Sequence, residues 1–592
     1  MDDAAHHVDA GLIEDRGLIE DWPARPWLLG ALGALAGLLI HLVVGDASPE
    51  DSLRAAAVAL IVFFALAAAF TLREKKLAEP LIFSALLGLV MGGIAWQVVA
   101  ADGHRAGTEF AFAAGCFFAL LALPLFQADF HRTRLATDYR ATHFHVWADA
   151  VSGGGALAFV GLSWLALLLL DGLFGLIGID AIGDLMEERA FGLAWSGGTF
   201  GAGLGVIRNN LKVIGALQNV VMIVFAILAV PFGAALLVFL VILLASGGKA
   251  LWEATDSATP ILLACAAGSF ILANAIIRDS DEDRSPSRIM QIAAAVLAGV
   301  ILPLSVFAAI SLGVRIDQHG LSPERIWAVI AVAVACAYGL ACWVALIRGR
   351  KAMWSARMRD ANLHLAAGVC VVALVLALPL WDFGAVSARN QVARLDAGEV
   401  KPEDFDFSAL RWDFGDAGRA ELAKLAKGEG EVAKLAIAAQ EQSERPWRRF
   451  ETASSAERIG NLVLRSADPD MRAAFEHLLQ EQRWRCASAC FAIEIGRFPS
   501  GARHVALVEA SNVEHFRLSR QELTQFDARV RGYGAVEVDQ FSKGAQVEVR
   551  DIAVRQVEVD GKAVGLPFVV DPEEPSTQTG EENLLITVTT TE

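Results

Sequence analysis

Two histidines separated by one residue, His143 and His145, lie among acids and bases in the segment Phe130–Asp149. Imidazoles beside carboxylates could ligate a metal ion. Alternate residues on a helix diverge, however, and the segment holds neither a cysteine nor a second histidine pair. The other interpretation is a polar helix at the edge of an apolar run, anchored by Trp147. We assign no metal and no cofactor, and we define the inner cluster as Asp138, Arg140, His143, His145 and Asp149.

A second polar group lies in the segment Arg315–Trp327, which reads RIDQHGLSPERIW. The pattern predicts that Gly320 ends one helix, that Ser322 caps the next and that Pro323 occupies its first position. The charged side chains could form a binding site, or they could form a salt-bridged turn that holds two helices together. We define the outer cluster as Arg315, Asp317, His319, Glu324 and Arg325.

Motifs of known enzyme chemistry are absent from the sequence. It contains no G-x-S-x-G, no H-E-x-x-H and no C-x-x-C, so we assign no catalytic residue. The glycines of Gly201-x-Gly203-x-Gly205 lack the βαβ context of a phosphate-binding loop. Cys486 and Cys490 could close a short disulfide loop in an oxidising compartment, whereas a straight strand would hold them too far apart.

Long apolar runs dominate the chain from Trp27 to Trp381. About 20 apolar residues suffice for a helix to cross a bilayer, and ten such runs are evident. An eleventh candidate, Ala190–Val206, is uncharged but rich in glycine. Its residues Gly197, Gly201 and Gly205 recur at every fourth position, which lets helix backbones approach closely in a membrane. The alternative for this segment is a glycine-rich loop or an interfacial helix.

The distribution of lysine and arginine favours eleven spans over ten. Cytoplasmic loops carry an excess of these residues, and only eleven crossings bring all the basic loops to one side. The N-terminal tail is then cytoplasmic and the C-terminal region lies outside the cytoplasm. The division predicted is an acidic tail over residues 1–26, a transmembrane domain over 27–381 and a soluble extracytoplasmic domain over 382–592.

The region after Trp381 alternates helical and strand-like patterns, which predicts a soluble α+β domain. Its helices are predicted over Gly418–Glu444, with an interruption at Gly428-x-Gly430, and over Asp468–Gln482. Asp560-Gly561 is typical of a hairpin turn between two strands. The chain carries a formal net charge of −17, and an acidic soluble domain argues against a nucleic-acid partner.

Three stretches of the membrane region resemble one family: Tyr139–Ile179, Leu272–Asp279 and Arg315–Val329. They are similar to the domain-of-unknown-function 4153 family of uncharacterised bacterial inner-membrane proteins. The resemblance covers most of the membrane region and does not extend to the soluble domain. It implies a location in the bacterial inner membrane and brings no catalytic residue.

Three functions remain open at this stage. The first is a non-enzymatic envelope platform whose outer domain binds a protein partner or a ligand. The second is a transporter or permease, although no inverted repeat with broken helices is evident. The third is a membrane-embedded enzyme acting on lipid or envelope polymer, which lacks a recognisable nucleophile–base pair.

Overall fold

The computed structural model describes residues 22–45, 51–247, 258–282, 284–445, 455–465, 468–481, 485–486, 489–498, 501–509, 512–520, 522–526, 554–559, 562–569 and 587–588. The chain forms two compact units, Met1–Gln442 and Ser443–Glu592, and each is described by itself. Most of the predicted tail, residues 1–21, lies outside the described residues.

The first unit is helical. Among its described residues, eleven segments are long and apolar enough to cross a membrane, as predicted. The helices that hold them, together with the short α6, are α1 (Arg25–Val44), α2 (Ser52–Thr71), α3 (Ala78–Ala100), α4 (Thr108–Gln127), α5 (Tyr139–Gly175), α6 (Ala181–Glu187), α7 (Arg189–Asn209), α8 (Leu211–Ala245), α9 (Thr259–Ile277), α10 (Arg288–His319) and α11 (Pro323–Ala377). Helix α11 supplies two spans, Pro323–Gly349 and Met353–Ala377.

Large apolar side chains are exposed along these helices. Examples are Leu162 and Leu169 on α5, and Val220 and Ile227 on α8. A soluble protein rarely exposes such continuous apolar surface, whereas lipid tails cover it at no cost. The protein is therefore a multi-pass membrane protein. We call the side on which α1 begins the tail side.

Helices α1 and α7 cross at their glycines. A Cβ atom on Gly197 would overlap the carbonyl group of Gly33, and one on Gly201 would overlap the carbonyl group of Leu29. A Cβ atom on Gly205 would lie 2.5 Å from the Cα atom of Pro26, at the beginning of α1. Because glycine has no side chain, the two backbones touch directly, which maximises van der Waals contact where lipid provides no hydrophobic driving force.

Four helices follow the last span within the first unit: α12 (Phe383–Asp396), α13 (Phe407–Trp412), α14 (Gly415–Leu425) and α15 (Glu431–Gln440). Asp382 and Asp406 cap α12 and α13 through their side chains. The apolar faces of the four helices share a core that includes Ala388, Leu410 and Leu422. We call residues 383–440 the collar, and the side on which it lies the collar side.

The predicted boundary at Trp381 marks the end of the apolar runs, whereas the first compact unit continues to Gln442. The interruption predicted at Gly428-x-Gly430 separates α14 from α15. Gly430 has a φ of 86°, a left-handed conformation that favours glycine.

The second unit contains helices α16 (Ser455–Asn461) and α17 (Pro469–Glu481) and a five-stranded sheet. The strands are β1 (Leu462–Leu464), β2 (Cys490–Arg497), β3 (Arg503–Glu509), β4 (Asn512–Ser519) and β5 (Glu522–Phe526), in that order across the sheet. Only β1 and β2 pair in parallel. Phe475 of α17 packs against Phe516 and Val505 on one face of the sheet. The unit is thus α+β, as predicted.

A second, three-stranded sheet has the order β7-β6-β8. Its strands are β6 (Val554–Val559), β7 (Lys562–Val569) and β8 (Thr587–Val588). Val559 pairs with Lys562 in antiparallel register, so the two strands flank the predicted turn at positions 560–561 as a hairpin. The sequence also predicts a strand over residues 536–541, which lie outside the described residues.

Candidate functional site

The structure places polar side chains at both ends of the membrane helices. Helix α10 links the two ends and, with 32 residues, spans about 48 Å. The inner cluster lies on the tail side and the outer cluster on the collar side. Contacts between loops join segments of the same side, as between Arg140 and Asp279 on the tail side and between His104 and Asp416 on the collar side.

On the tail side, two of the stretches that resemble the family meet. Asp138 caps α5 by accepting a hydrogen bond from the backbone N–H of Arg140. The Arg140 Nε atom donates to Asp279 Oδ2 over 3.2 Å. The Tyr139 hydroxyl donates to Asn274 Oδ1 over 3.4 Å. Helix α5 is thereby joined to the end of α9.

The loop after α9 is also fixed to α11. Arg359 donates to Asp281 Oδ1 over 2.7 Å and to the carbonyl oxygen of Ile277 over 3.3 Å. The Ser355 hydroxyl donates to the same Asp281 oxygen over 2.8 Å. The hydrogen bond from Arg359 holds the pKa of the Asp281 carboxyl below its ordinary value, because it favours the charged form.

The two histidines of the inner cluster face different neighbours. The His143 ring lies between Tyr139 and Trp147, with centroid distances of 5.7 and 6.3 Å. His145 precedes Asp149 by one helical turn, and Asp149 accepts a hydrogen bond from Gln127 Nε2 over 3.2 Å. Both histidines are buried. Among the described residues no group of three or more His, Cys, Asp or Glu side chains could hold a metal ion.

On the collar side, side chains of α12 donate hydrogen bonds to the backbone of the turn between α10 and α11, which we call the outer turn. Gln391 Nε2 donates to the carbonyl oxygens of His319 and Leu321 over 2.8 and 2.9 Å. Arg394 donates to the carbonyl oxygens of Ile316 and Gln318 over 3.1 and 3.2 Å.

Gly320 makes this close approach feasible. Its φ is 70°, and a Cβ atom there would lie 2.6 Å from Gln391 Nε2. Asn390 Oδ1 accepts from the backbone N–H of Leu321 over 2.8 Å. The turn and the collar helix therefore form one hydrogen-bonded unit.

The side chains of the outer cluster are divided between this turn and solvent. Arg325 donates to the carbonyl oxygens of His319 and Gly320 over 3.3 and 2.8 Å, and Arg315 lies 3.0 Å from His319 Nε2. Asp317 and Glu324 are exposed, and neither forms an ion pair within the described part of the chain. Ser322 caps α11 through a 3.4 Å hydrogen bond from the backbone N–H of Arg325, as predicted from the pattern.

A second outer loop also holds the collar. The backbone N–H of Asp416 donates to the carbonyl oxygen of His104 over 2.8 Å, and the two side chains approach to 2.9 Å. Arg419 donates to Asp416 and to the carbonyl oxygen of Gly103, each over 2.5 Å. The hydrogen bonds from Arg419 and then His104 hold the pKa of Asp416 below its ordinary value. The collar is therefore fixed to the loops after α3 and after α10.

In the second unit, Cys486 and Cys490 are disulfide-bonded, with their Cα atoms 5.4 Å apart. Cys486 has a φ of 54°, so this segment is not the straight strand that would separate the sulfur atoms. Burial raises the pKa of Glu509, which accepts a hydrogen bond from the backbone N–H of Cys486 over 2.6 Å.

Several residues at these sites were not among the candidates taken from the sequence. Gln391 and Arg394 lie three residues apart on one face of α12, a spacing that indicates a polar face but not what it contacts. Asn362 and Arg359 are spaced in the same way on α11. Their partners lie far away in the sequence, and no local pattern indicates such a pairing.

The fold defines a polytopic α-helical membrane protein with a helical collar and a separate α+β unit. More narrowly, the chain belongs to the family described as a domain of unknown function, DUF4153, whose model matches residues 57–425. The match includes α12, α13 and α14, so most of the collar lies within the matched residues. Neither a curated protein nor a solved structure matches the chain.

Proposed function

We propose that this protein is a non-enzymatic platform of the bacterial inner membrane. Its membrane helices carry a fixed collar outside the cytoplasm, and the chain continues from the collar into a C-terminal unit that binds an envelope partner or ligand. The observation that carries the proposal is the attachment of the collar to two outer loops. Gln391 and Arg394 hold the turn after α10, and Asp416 holds the loop after α3.

The proposed orientation is supported by the positive-inside rule. Tail-side loops are rich in bases, such as Arg73, Lys75 and Lys76 in one loop. The collar-side loops carry fewer bases and more acids. The N-terminal tail is then cytoplasmic, and the collar and C-terminal unit are periplasmic or extracellular.

The distribution of polar side chains favours a platform over a transporter or a lipid enzyme. Transport pathways place ionisable groups and broken helices near the bilayer midplane. Here the joined polar residues, such as Asn274 with Tyr139 and Gln391 with Leu321, lie toward the ends of the helices. There they form hydrogen bonds with backbone carbonyl groups and neighbouring side chains. Such contacts stabilise the loops.

The proposal is tested by separating the collar from the membrane helices without changing the helices. The variant Gln391→Ala/Arg394→Ala removes four hydrogen bonds to the outer turn. Arg389→Ala is the matched control, because Arg389 is exposed on the same helix and, among the described residues, donates a hydrogen bond only to the carbonyl oxygen of Ala385. Membrane insertion, trypsin cleavage of the collar and complementation of a deletion strain are measured.

A platform predicts that the double variant inserts normally, is cleaved faster in the collar and fails to complement, while the control resembles wild type. A double variant that is cleaved faster yet complements fully would contradict the platform. That result would favour a function carried by the membrane helices alone, such as transport.

A further inference from the structure

We propose that the C-terminal unit binds a phosphate group in a cavity rich in arginine at one end of its five-stranded sheet. The cavity has a volume of about 540 Å³. Of its lining residues, three are arginines, Arg503, Arg517 and Arg520, and one is an acid, Asp470. The site lies in a different unit from the collar and does not depend on it.

The topology of the sheet brings these residues together. Arg503 begins β3 and pairs with Leu518 at the end of β4, so the turn before β3 and the turn after β4 lie at the same end of the sheet. Asp468, just before α17, forms an ion pair with Arg503, which brings the beginning of α17 to that end as well. Arg520 has a φ of 58°, which marks the sharp turn after β4.

The three arginines differ in how their charge is balanced. Arg503 is neutralised by Asp468 and by Glu494, whose Oε2 lies 2.8 Å from its Nη2. Arg517 and Arg520 form no ion pair with any described residue, and both are exposed. The residues that line the cavity carry three guanidinium groups against the one carboxylate of Asp470, in a chain whose formal net charge is −17. An anion entering the cavity would gain attraction to the guanidinium groups of Arg517 and Arg520.

A phosphate group fits these donors better than a carboxylate does. One guanidinium fork already matches both oxygens of a carboxylate, whereas the oxygens of a phosphate can engage more than one fork. Arg517 is held in place, because its guanidinium carbon lies 4.4 Å from the centroid of the Phe498 ring. The volume exceeds that of a phosphate alone and leaves room for a substituent on it.

The experiment uses the purified full-length protein in detergent and isothermal titration with two probes. Inorganic phosphate represents a free ligand, and soluble dihexanoyl phosphatidic acid represents a lipid headgroup. The test variant is Arg517→Gln/Arg520→Gln. The matched control is Arg472→Gln, which removes an exposed arginine of the same unit that pairs with Glu476 outside the cavity.

We expect the test variant to weaken binding at least tenfold and the control to stay within twofold of wild type. Loss of inorganic phosphate binding identifies a free phosphate ligand, and loss of the lipid probe alone identifies a headgroup. The proposal is overturned if wild type binds neither probe, or if test and control variants weaken equally. Should the double variant unfold early on heating, the single variant Arg520→Gln, at an exposed turn, must still weaken binding.

Discussion

The side-chain amide of Asn362 donates a hydrogen bond to Asn274 Oδ1 over 2.8 Å, and both residues are buried. This contact joins α11 to α9 next to Tyr139, whose hydroxyl shares the same acceptor. Asn274 in turn donates to the carbonyl oxygen of Phe270 over 2.8 Å. All the polar atoms of Asn274 are thereby used within the protein, where lipid would offer no partner.

Asn362→Ala should destabilise the membrane unit by about 0.6–2 kcal/mol, because Asn274 loses its nearer donor in an apolar environment. Reversible unfolding in mixed micelles measures the change. A double-mutant cycle with Asn274→Ala isolates the pair, and a coupling energy close to zero would show that the contact contributes nothing.

Gly201→Ala should destabilise the protein by about 1–3 kcal/mol, because the added methyl group must push α7 away from Leu29 on α1. Gly161→Ala on α5 is the matched control, since a Cβ atom there meets no other group within 4 Å. Thermal unfolding in detergent measures both. Equal melting temperatures for the two variants would mean that the crossing is looser than described.

The span α7 is predictable from the sequence, although it is only weakly apolar. Its mean hydropathy is the lowest of the eleven spans in the described residues, so apolar composition alone barely distinguishes it from a loop. The glycine spacing and the charge of the loops supplied the missing information, because both reflect constraints that the bilayer imposes.

The sequence does not predict that the collar packs on the membrane helices, nor which residues the inner cluster contacts. Periodicity indicates that α12 and α14 are amphipathic, but it does not indicate what they cover. From the sequence alone, these helices are therefore predicted to belong to the soluble region. Arg140 is a candidate from its type and position, but Asp279 is 139 residues away, and only the folded arrangement of the first unit makes them neighbours.

Asp281→Asn should lower the free energy of unfolding at pH 7, because it removes the ion pair with Arg359. The loss should be at most about 1 kcal/mol, because about half of the Asp281 side chain is exposed and solvent screens its charge. The folded pKa of Asp281 is depressed, so its contribution is present above the ordinary carboxyl value near ~3.9 and is lost as pH falls through the folded value.

The melting temperatures of wild type and Asp281→Asn should therefore begin to approach each other below about pH 4 and become equal only below the depressed folded pKa of Asp281. Glu282→Gln is the control, because Glu282 is exposed beside it and has no ion pair within the described residues. A stability difference between wild type and Asp281→Asn that persists unchanged at acid pH would contradict this assignment.

The Cys486–Cys490 bond offers a test of orientation that needs no fusion protein. If the C-terminal unit lies outside the cytoplasm, the two thiols should resist alkylation in intact cells until a reductant is added.

The measurement uses a chain in which the remaining cysteines are replaced by alanine, namely Cys116, Cys265, Cys336, Cys342 and Cys370. A mass-tagged maleimide should then add two tags after reduction and none before. Cys486→Ser/Cys490→Ser should also destabilise the unit by about 2 kcal/mol, the value expected for so short a loop. Full alkylation without reductant would place the unit in a reducing compartment and would refute the eleven-span orientation.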